Sequence, residues 1–472
     1  MVKTLFCSGA LVALLVALPG RAEATTYEVG PGKTYANIGN VPLESLTAGD
    51  TVLIYYRATP YKEKFVIAAV GTPTAPVTIR GVLGPNGERP ILDGNGATTR
   101  AQLNDPSRVR GVIKIGASVV PFADGTSVMP QWIVIENLEI RGARPPNSFT
   151  GPSGASETYT NPASSIYLEF GENITVRNCD LNNNGNGFFA FSSDTIVTRN
   201  ILLEGNSIHD NGNVGSNFEH NVYVEAIGVV YQYNHFGPPL PGAGGNNIKD
   251  RSAGLVVRYN WIEGSNRQLD LVNAEDSAIV RAHPGYRATH VYGNVVIEHP
   301  NSGNNDFVHY GGDTGSAQKF RKGTLYFYNN TVISDRTDAT RLFRLSTNDE
   351  SCDARNNVAY VTAAGSNLQV LDNYGRLTLA NNWFKTGWTP FVVNRPKGTI
   401  TNNGTVTGTS PGFANFAAQD FHLAAGSPAI DAGTALNPAV LPANDVVREY
   451  VKHQSSVARA VHGTLDIGAF EF

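Results

Sequence analysis

Along most of the chain, apolar and polar positions alternate with a period of two, in short runs that stop at an asparagine. The pattern appears in "IVIENLEI" (Asn137), "ITVRNCDL" (Asn178), "ILLEGNSI" (Asn206), "VVYQYNHF" (Asn234), "LVVRYNWI" (Asn260), "HVYGNVVI" (Asn294) and "LYFYNNTVI" (Asn330). It continues more weakly in "DARNNVAY" (Asn357), "LTLANNWF" (Asn382) and "TITNNGTV" (Asn403). A period of two marks strands, and no sustained helical period competes with it. The asparagines are separated by 41, 28, 28, 26, 34, 36, 27, 25 and 21 residues. One strand signal per copy at such spacing predicts a solenoid. Strands this short suit a parallel β-helix, each coil giving two or three strands and resting about 4.8 Å from the next. An amide side chain both donates and accepts, so an asparagine stacked on its own copies forms a ladder inside the turn. The longer separations imply loops inserted at other corners, where a binding face is built. A β-sandwich with Asn-rich turns gives no reason for the same offset in every copy.

The expected fold is therefore all-β, a single-stranded right-handed parallel β-helix with inserted loops and capped ends. Residues 1–24 read as a signal peptide: Lys3, the apolar "GALVALLVALPG", then Ala22 to Ala24. The apolar run is too short to span a bilayer. A secreted protein, periplasmic or extracellular and free of the membrane after leader removal, is expected. Residues 25–130 read as an N-terminal cap and first coils, 131–409 as central coils, and 410–472 as a C-terminal coil and cap, since open solenoid ends expose strand edges. Losing Lys3, Arg21 and Glu23 moves the net charge from −4 to −5. That balance argues against nucleic acid as a partner. Cys179 and Cys352 are expected to be two buried thiols rather than a disulfide framework. A monomer is expected.

The asparagine corner sets the register. His220 lies 14 residues before Asn234, and Asn246 lies 14 before Asn260. "HNVYVEA" thus aligns with "NNIKDRS", placing Tyr223 beside Lys249 and Glu225 beside Arg251. With Val222, Val224 and Ile248 inside, these four side chains point out. The same alternation in "RQLDLV", "DFVHYGG" and "RLFRLST" puts Asp270, His309 and Arg344 outward. One column then runs Tyr223, Lys249, Asp270, His309, Arg344. Asp250 falls inward or marks a strand-ending bend. A single exposed ion pair contributes about 0–1 kcal/mol, so any one member reads as decoration. The column as a group, flanked by the insertions "GPPLPGAGGNN" and "NAEDSAIVRAHPGYRATH", reads as a groove for a polysaccharide.

Eliminating a sugar from a uronic-acid polymer needs a cation on the carboxylate, a base for the C5 proton, and an acid for the departing oxygen. Lys249 serves as the base if Arg251 and burial lower its pKa. Arg251 or Arg344 can clamp the carboxylate, and Tyr223 or His309 can move the second proton. Glu225, Asp270, Arg344 and His220 are candidate substrate contacts. Calcium held by Asp270, Glu275, Asp276 or Asp306 would assist, since Ca²⁺ takes oxygen ligands; no calcium-loop motif is present. Hydrolysis would need two carboxylates at a set separation, and Glu225 with Asp270 offers one pair. A glycan-binding β-helix without turnover is the non-enzymatic alternative. His220 and His309 lack helix-type metal spacing. Trp261 directly follows its asparagine corner and is expected in the core.

The Asn-cornered coils, "NNIKDRSAGLVVRYNWIEG" and the ending "SPAIDAGT…LDIGAFEF" resemble secreted bacterial right-handed parallel β-helix proteins of the pectate-lyase-like superfamily. That resemblance implies a polysaccharide-degrading enzyme. In the alginate and chondroitin lyases of this group a Lys and an Arg lie on neighbouring strands. "IKDRS" with "RQLDLV" one coil later is similar, which implies Lys249 as the base. Those lyases carry Arg-His where this chain has Asp270-Leu271, so Arg251 or Arg344 must substitute. The polygalacturonase pattern is absent.

Overall fold

The computed structural model describes residues 24–100, 105, 107–116, 129–300, 302–365 and 367–472, apart from the side chain of residue 44. The expected signal peptide lies outside them except for Ala24. Among the described residues, sheets of 13, 14 and 11 strands form the three walls of a β-helix, all parallel except the edge pair Ser148–Thr150 with Ser156–Thr158 of the 14-stranded sheet. In the central coils each turn adds one strand to each wall.

The inward residues explain why the chain winds this way. On the 13-stranded wall Ile135, Val176, Leu203, Tyr231, Val257, Val291, Phe327, Ala354 and Leu379 stack in register, all buried. Burying each large apolar side chain is worth about 1.5–3 kcal/mol. Only parallel stacking aligns like with like over so many coils. Cys179 and Cys352 are free and buried, as expected, and burial pushes the Cys179 thiol up to about 12. Trp261 is also buried.

The asparagine ladder is present but shorter than the sequence suggested. Asn206, Asn234, Asn260, Asn294, Asn330, Asn357 and Asn382 form an unbroken stack. Each of the first six donates from its Nδ2 to the Oδ1 of the next, at 2.9–3.0 Å. Each also donates its backbone N–H to that same oxygen, at 2.9–3.1 Å. The stack begins with Cys179, whose backbone N–H donates to Asn206 Oδ1 at 2.9 Å. Asn137 and Asn178 stand one position earlier, at the left-handed corner with φ of 59° and 52°. Asparagine is tolerated there for a different reason, its ease in the left-handed region. Gly205 and Gly293 fill the same corner in later coils, with φ of 63° and 64°. Asn403 pairs with Ala380 inside a strand and is not a rung.

Residues 410–472 do not continue the coils. Their antiparallel pairs, Phe413–Asn415 with Asp420–Leu423 and Arg448–Val451 with Ser455–Ala458, lie on the flank of the helix. Phe421 and Tyr450 pack on Trp261, and Leu423 and Ile467 on Trp383. Gly468 N–H donates to Asn356 O at 2.8 Å, and Tyr328 Oη donates to Asn444 O at 2.6 Å.

Asn260→Ala should lower unfolding stability by about 3 kcal/mol, because it strips bonds from rungs on both sides and leaves buried amides unpaired. Asn382→Ala, at the end of the stack, should cost less. Urea unfolding of both variants measures this, and equal midpoints would contradict the ladder's role.

Candidate active site

The groove lies on the 14-stranded wall. Its strands Val222–Val224, Ile248–Asp250, Leu269–Leu271, Asp306–Tyr310 and Thr340–Leu345 pair in the expected register. Tyr223 is opposite Lys249, Lys249 opposite Asp270, Asp270 opposite His309, and His309 opposite Arg344. A second amide stack, not foreseen from the sequence, steadies the starts of these strands. It runs from Asn211 through Asn221 and Asn247 to Gln268, with bonds of 2.6–2.9 Å.

Asp250 points inward, one of the two outcomes left open. It is fully buried. Its Oδ2 accepts from Tyr231 Oη at 2.8 Å and its Oδ1 from Ser252 N–H at 2.7 Å. Buried Arg321 stands 3.8 Å away and donates to the Asp250 and Val272 carbonyls. The groove strand is thus tied from behind to the segment that follows the 311–320 loop.

On the outer side, the insertion after Leu271 and the loop after Tyr310 cover the column. Lys249, Arg251, Asp270 and His309 are therefore buried rather than openly exposed. Lys249 Nζ donates to Asp270 Oδ2 at 2.6 Å and to Asp313 Oδ2. Arg251 holds Asp313 with two nitrogens, at 3.0 and 3.1 Å, and donates to Asn273 O at 2.6 Å. Its Nε donates to Tyr223 Oη at 3.0 Å. His220 Nδ1 accepts the Asn246 N–H at 2.9 Å. Its ring stands edge-on to Tyr223, 5.6 Å between centroids. Burial, with Lys249 adding to it, pulls the His220 pKa down to about 3. The ring is thus neutral near neutral pH. With Nδ1 accepting, its proton sits on Nε2, which has no protein acceptor among the described residues.

Tyr223, Lys249, Arg251, His220, Asp270 and Glu275 line one open cavity of about 490 Å³. His309 and Arg344 line a neighbouring cavity, also about 490 Å³, and the two share Arg267, Asp313 and Thr314. Asp313 and Arg267 were missed. The only sequence signal for Asp313 was its Gly-rich setting, "GGDTGS", directly after the His309 strand.

Several expectations need correction. Burial, the largest influence, and Arg251 would lower the Lys249 pKa, but the Asp270 and Asp313 carboxylates together outweigh them and the pKa is raised. Two carboxylates against the ammonium favour its charged form, the opposite of the lowered pKa expected of a lysine base. His309 has both ring nitrogens engaged, Nδ1 with Asp270 at 2.8 Å and Nε2 with Ser346 at 3.0 Å. It positions Asp270 and has no nitrogen left for a substrate. Glu225 faces the covering loop, where it accepts the backbone N–H groups of Glu275, Asp276 and Ser277. It lines neither cavity, so it is neither a substrate contact nor a partner for Asp270 in hydrolysis. Burial raises its pKa to about 7 despite those three donors.

The calcium set also fails to converge. Asp306 is fully buried among arginines. Asp270 is occupied by Lys249, Asn246 and His309. Glu275 reaches toward Arg251 at 3.7 Å. Among the described residues no group of three or more metal-ligating side chains gathers. These residues do not fit a calcium site, and calcium is assigned no step.

No family model and no curated protein matches the sequence. Among solved structures the chain is similar to a pectate lyase, at 11% identity over 95% of this chain and 97% of the other, with a TM-score of 0.48. It is also similar to an alginate lyase from a Paenibacillus species, at 14% identity over 71% and 94% of the two chains, TM-score 0.44. A lacto-N-biosidase from Eubacterium ramulus matches at 13% identity over 81% and 67%, TM-score 0.41. Likeness this distant leaves the chemistry to be read from the groove's own residues.

Asp270→Asn should destabilise the protein by about 3 kcal/mol near neutral pH, because Lys249 loses its buried counter-charge. Burial opposes ionisation of Asp270, yet Lys249 and His309 hold its pKa well below 3.8. Its stabilising contribution is therefore present above that pH and is lost as pH falls toward the depressed native value. Urea unfolding across pH should show a larger acid loss in the parent than in the variant, where Asp313 still contributes. Equal stability at neutral pH would contradict the arrangement.

Proposed function

We propose that this chain is a polysaccharide-active enzyme that cleaves an acidic polysaccharide by β-elimination. The observation that carries the proposal is the Tyr223 oxygen held by Arg251 at 3.0 Å beside the charged Lys249, in an open groove. Lys249 gives two N–H groups to Asp270 and Asp313, and an ammonium has three. The third, with the Nε2–H of neutral His220, is available to a uronate carboxylate. Cationic and neutral donors at that carboxylate stabilise the charge that builds up when the C5 proton leaves. Reacting as the phenolate, with the Arg251 guanidinium as its counter-charge, the Tyr223 oxygen takes that proton, becomes a phenol, and passes the proton to the departing O4. A double bond forms between C4 and C5, the C4–O4 bond breaks, and the enzyme regains its starting protonation state. Asp270 and Asp313 act as positioning residues that hold the cations.

Hydrolysis is less well supported. It needs one carboxyl group that keeps its proton near neutral pH. Asp270 and Asp313 are both held below 3.8 by their cations despite burial. Two nearby carboxyls with raised pKa are out of reach of a substrate: Glu225 lies under the loop, and Asp250 is buried behind the strand. We also place the protein outside the cytoplasm, on the strength of the leader-like first 24 residues. No helix among the described residues is long and apolar enough to cross a membrane.

Incubation with a panel of uronic-acid polymers should generate the ultraviolet absorbance of an unsaturated uronate. Tyr223→Phe should lower that rate at least about 100-fold while leaving the unfolding midpoint near that of the parent. New reducing ends without the absorbance, or a variant that retains its rate, would contradict the mechanism.

A further inference from the structure

Behind the shared wall of the two cavities, one fully buried carboxylate faces three guanidinium groups. Asp306 stands 3.4 Å from Arg267, 3.4 Å from Arg341 and 3.6 Å from Arg344. All three contacts are long for a charge-assisted hydrogen bond, and a single negative charge cannot offset three positive ones. Arg267 and Arg344 line the second cavity, and the Arg344 side chain is 42% exposed. Other acids do not restore the balance. Asp313 is already held by Lys249 and Arg251, and Asp372, which stands beside Arg344 one coil on, makes no ion pair with it among the described residues. Tyr374 adds an aromatic face, with Lys397 Nζ donating to its hydroxyl at 3.1 Å.

We infer that Arg344 and Arg267 form a second anion subsite, which binds the carboxylate of another uronic acid in the same polymer. Arg344 stands three coils beyond Lys249, about 14 Å along the helix axis at the backbone. That is too far for both to hold one sugar's carboxylate. A polymer lying along the coils, through two cavities that share Arg267 and Asp313, presents a later sugar at Arg344. The subsite selects chains that carry acidic groups on more than one ring. This inference rests on the polysaccharide reading of the groove but not on the reaction.

The test is calorimetric binding to the Tyr223→Phe protein, using oligogalacturonate and oligomannuronate as disaccharides and hexasaccharides. A methyl-esterified hexagalacturonate serves as the uncharged control. At least one ionised hexasaccharide should bind, and Arg344→Ala should weaken it about tenfold, the scale of one charge-assisted contact. Arg344→Lys should recover part of the loss. The disaccharide of the same sugar and the esterified control should change less than about twofold. Equal loss for disaccharide and hexasaccharide, no loss for either, or no binding of any ionised hexasaccharide would overturn the subsite. The reaction is judged separately in the active protein. Binding that depends on Arg344 without unsaturated product would sink elimination and keep the subsite. Product formation with binding insensitive to Arg344 would do the reverse.

Discussion

The amide-to-amide hydrogen bond that repeats at the asparagine corner is the constraint on which the rest of the molecule depends. Each rung satisfies a buried side-chain donor and a buried backbone donor with a single oxygen of the next coil. Such groups are costly to leave unpaired. A slip by one residue would break the rungs and turn every inward side chain outward. The ladder therefore fixes register, and register brings residues far apart in the chain to one wall. Tyr223 and His309 are 86 positions apart in sequence, yet they belong to one column of five side chains.

Charge on that column is managed from both sides. Behind the strand, Asp250, Tyr231 and Arg321 form a buried polar tie on the core side. In front, Asp270 and Asp313 hold Lys249 and Arg251 in place. Breaking a buried pair strands a charge in low dielectric, at a cost of several kcal/mol. The cations are consequently held in place, and they keep their charge near neutral pH. Pre-positioned donors of this kind stabilise developing negative charge without first reorganising. A free lysine base would need the opposite surroundings.

The sequence made the fold and the column legible because both follow from local rules. Alternation identifies strands, and one corner residue aligns them. The alignment held through Arg344 even though loops of different length intervene. What local rules did not separate was two kinds of asparagine. The left-handed corner at Asn137 and Asn178 favours the same residue as the ladder one position later, so these two read as rungs, as does Asn403, which lies inside a strand. Partners supplied by loops were also hidden. Asp313 reaches Lys249 from 64 positions away, and no periodicity points to it. Without Asp313 in view, and with Asp270 read as a substrate or calcium contact, burial and Arg251 predict a lowered Lys249 pKa; with both carboxylates paired to it, the pKa rises. Carboxylates near the groove likewise suggested calcium, and only the structure shows Asp306 committed to arginines and Asp270 to Lys249, Asn246 and His309.

The most direct measurement is a crystal structure of the Tyr223→Phe protein with a bound uronate oligosaccharide. The account predicts a chain lying along successive coils, with one carboxylate at Lys249 and His220 Nε2, its C5 facing residue 223, and a later carboxylate near Arg344. An oligosaccharide seated on another wall, or lying over this column with its carboxylates turned away from Lys249, would contradict it.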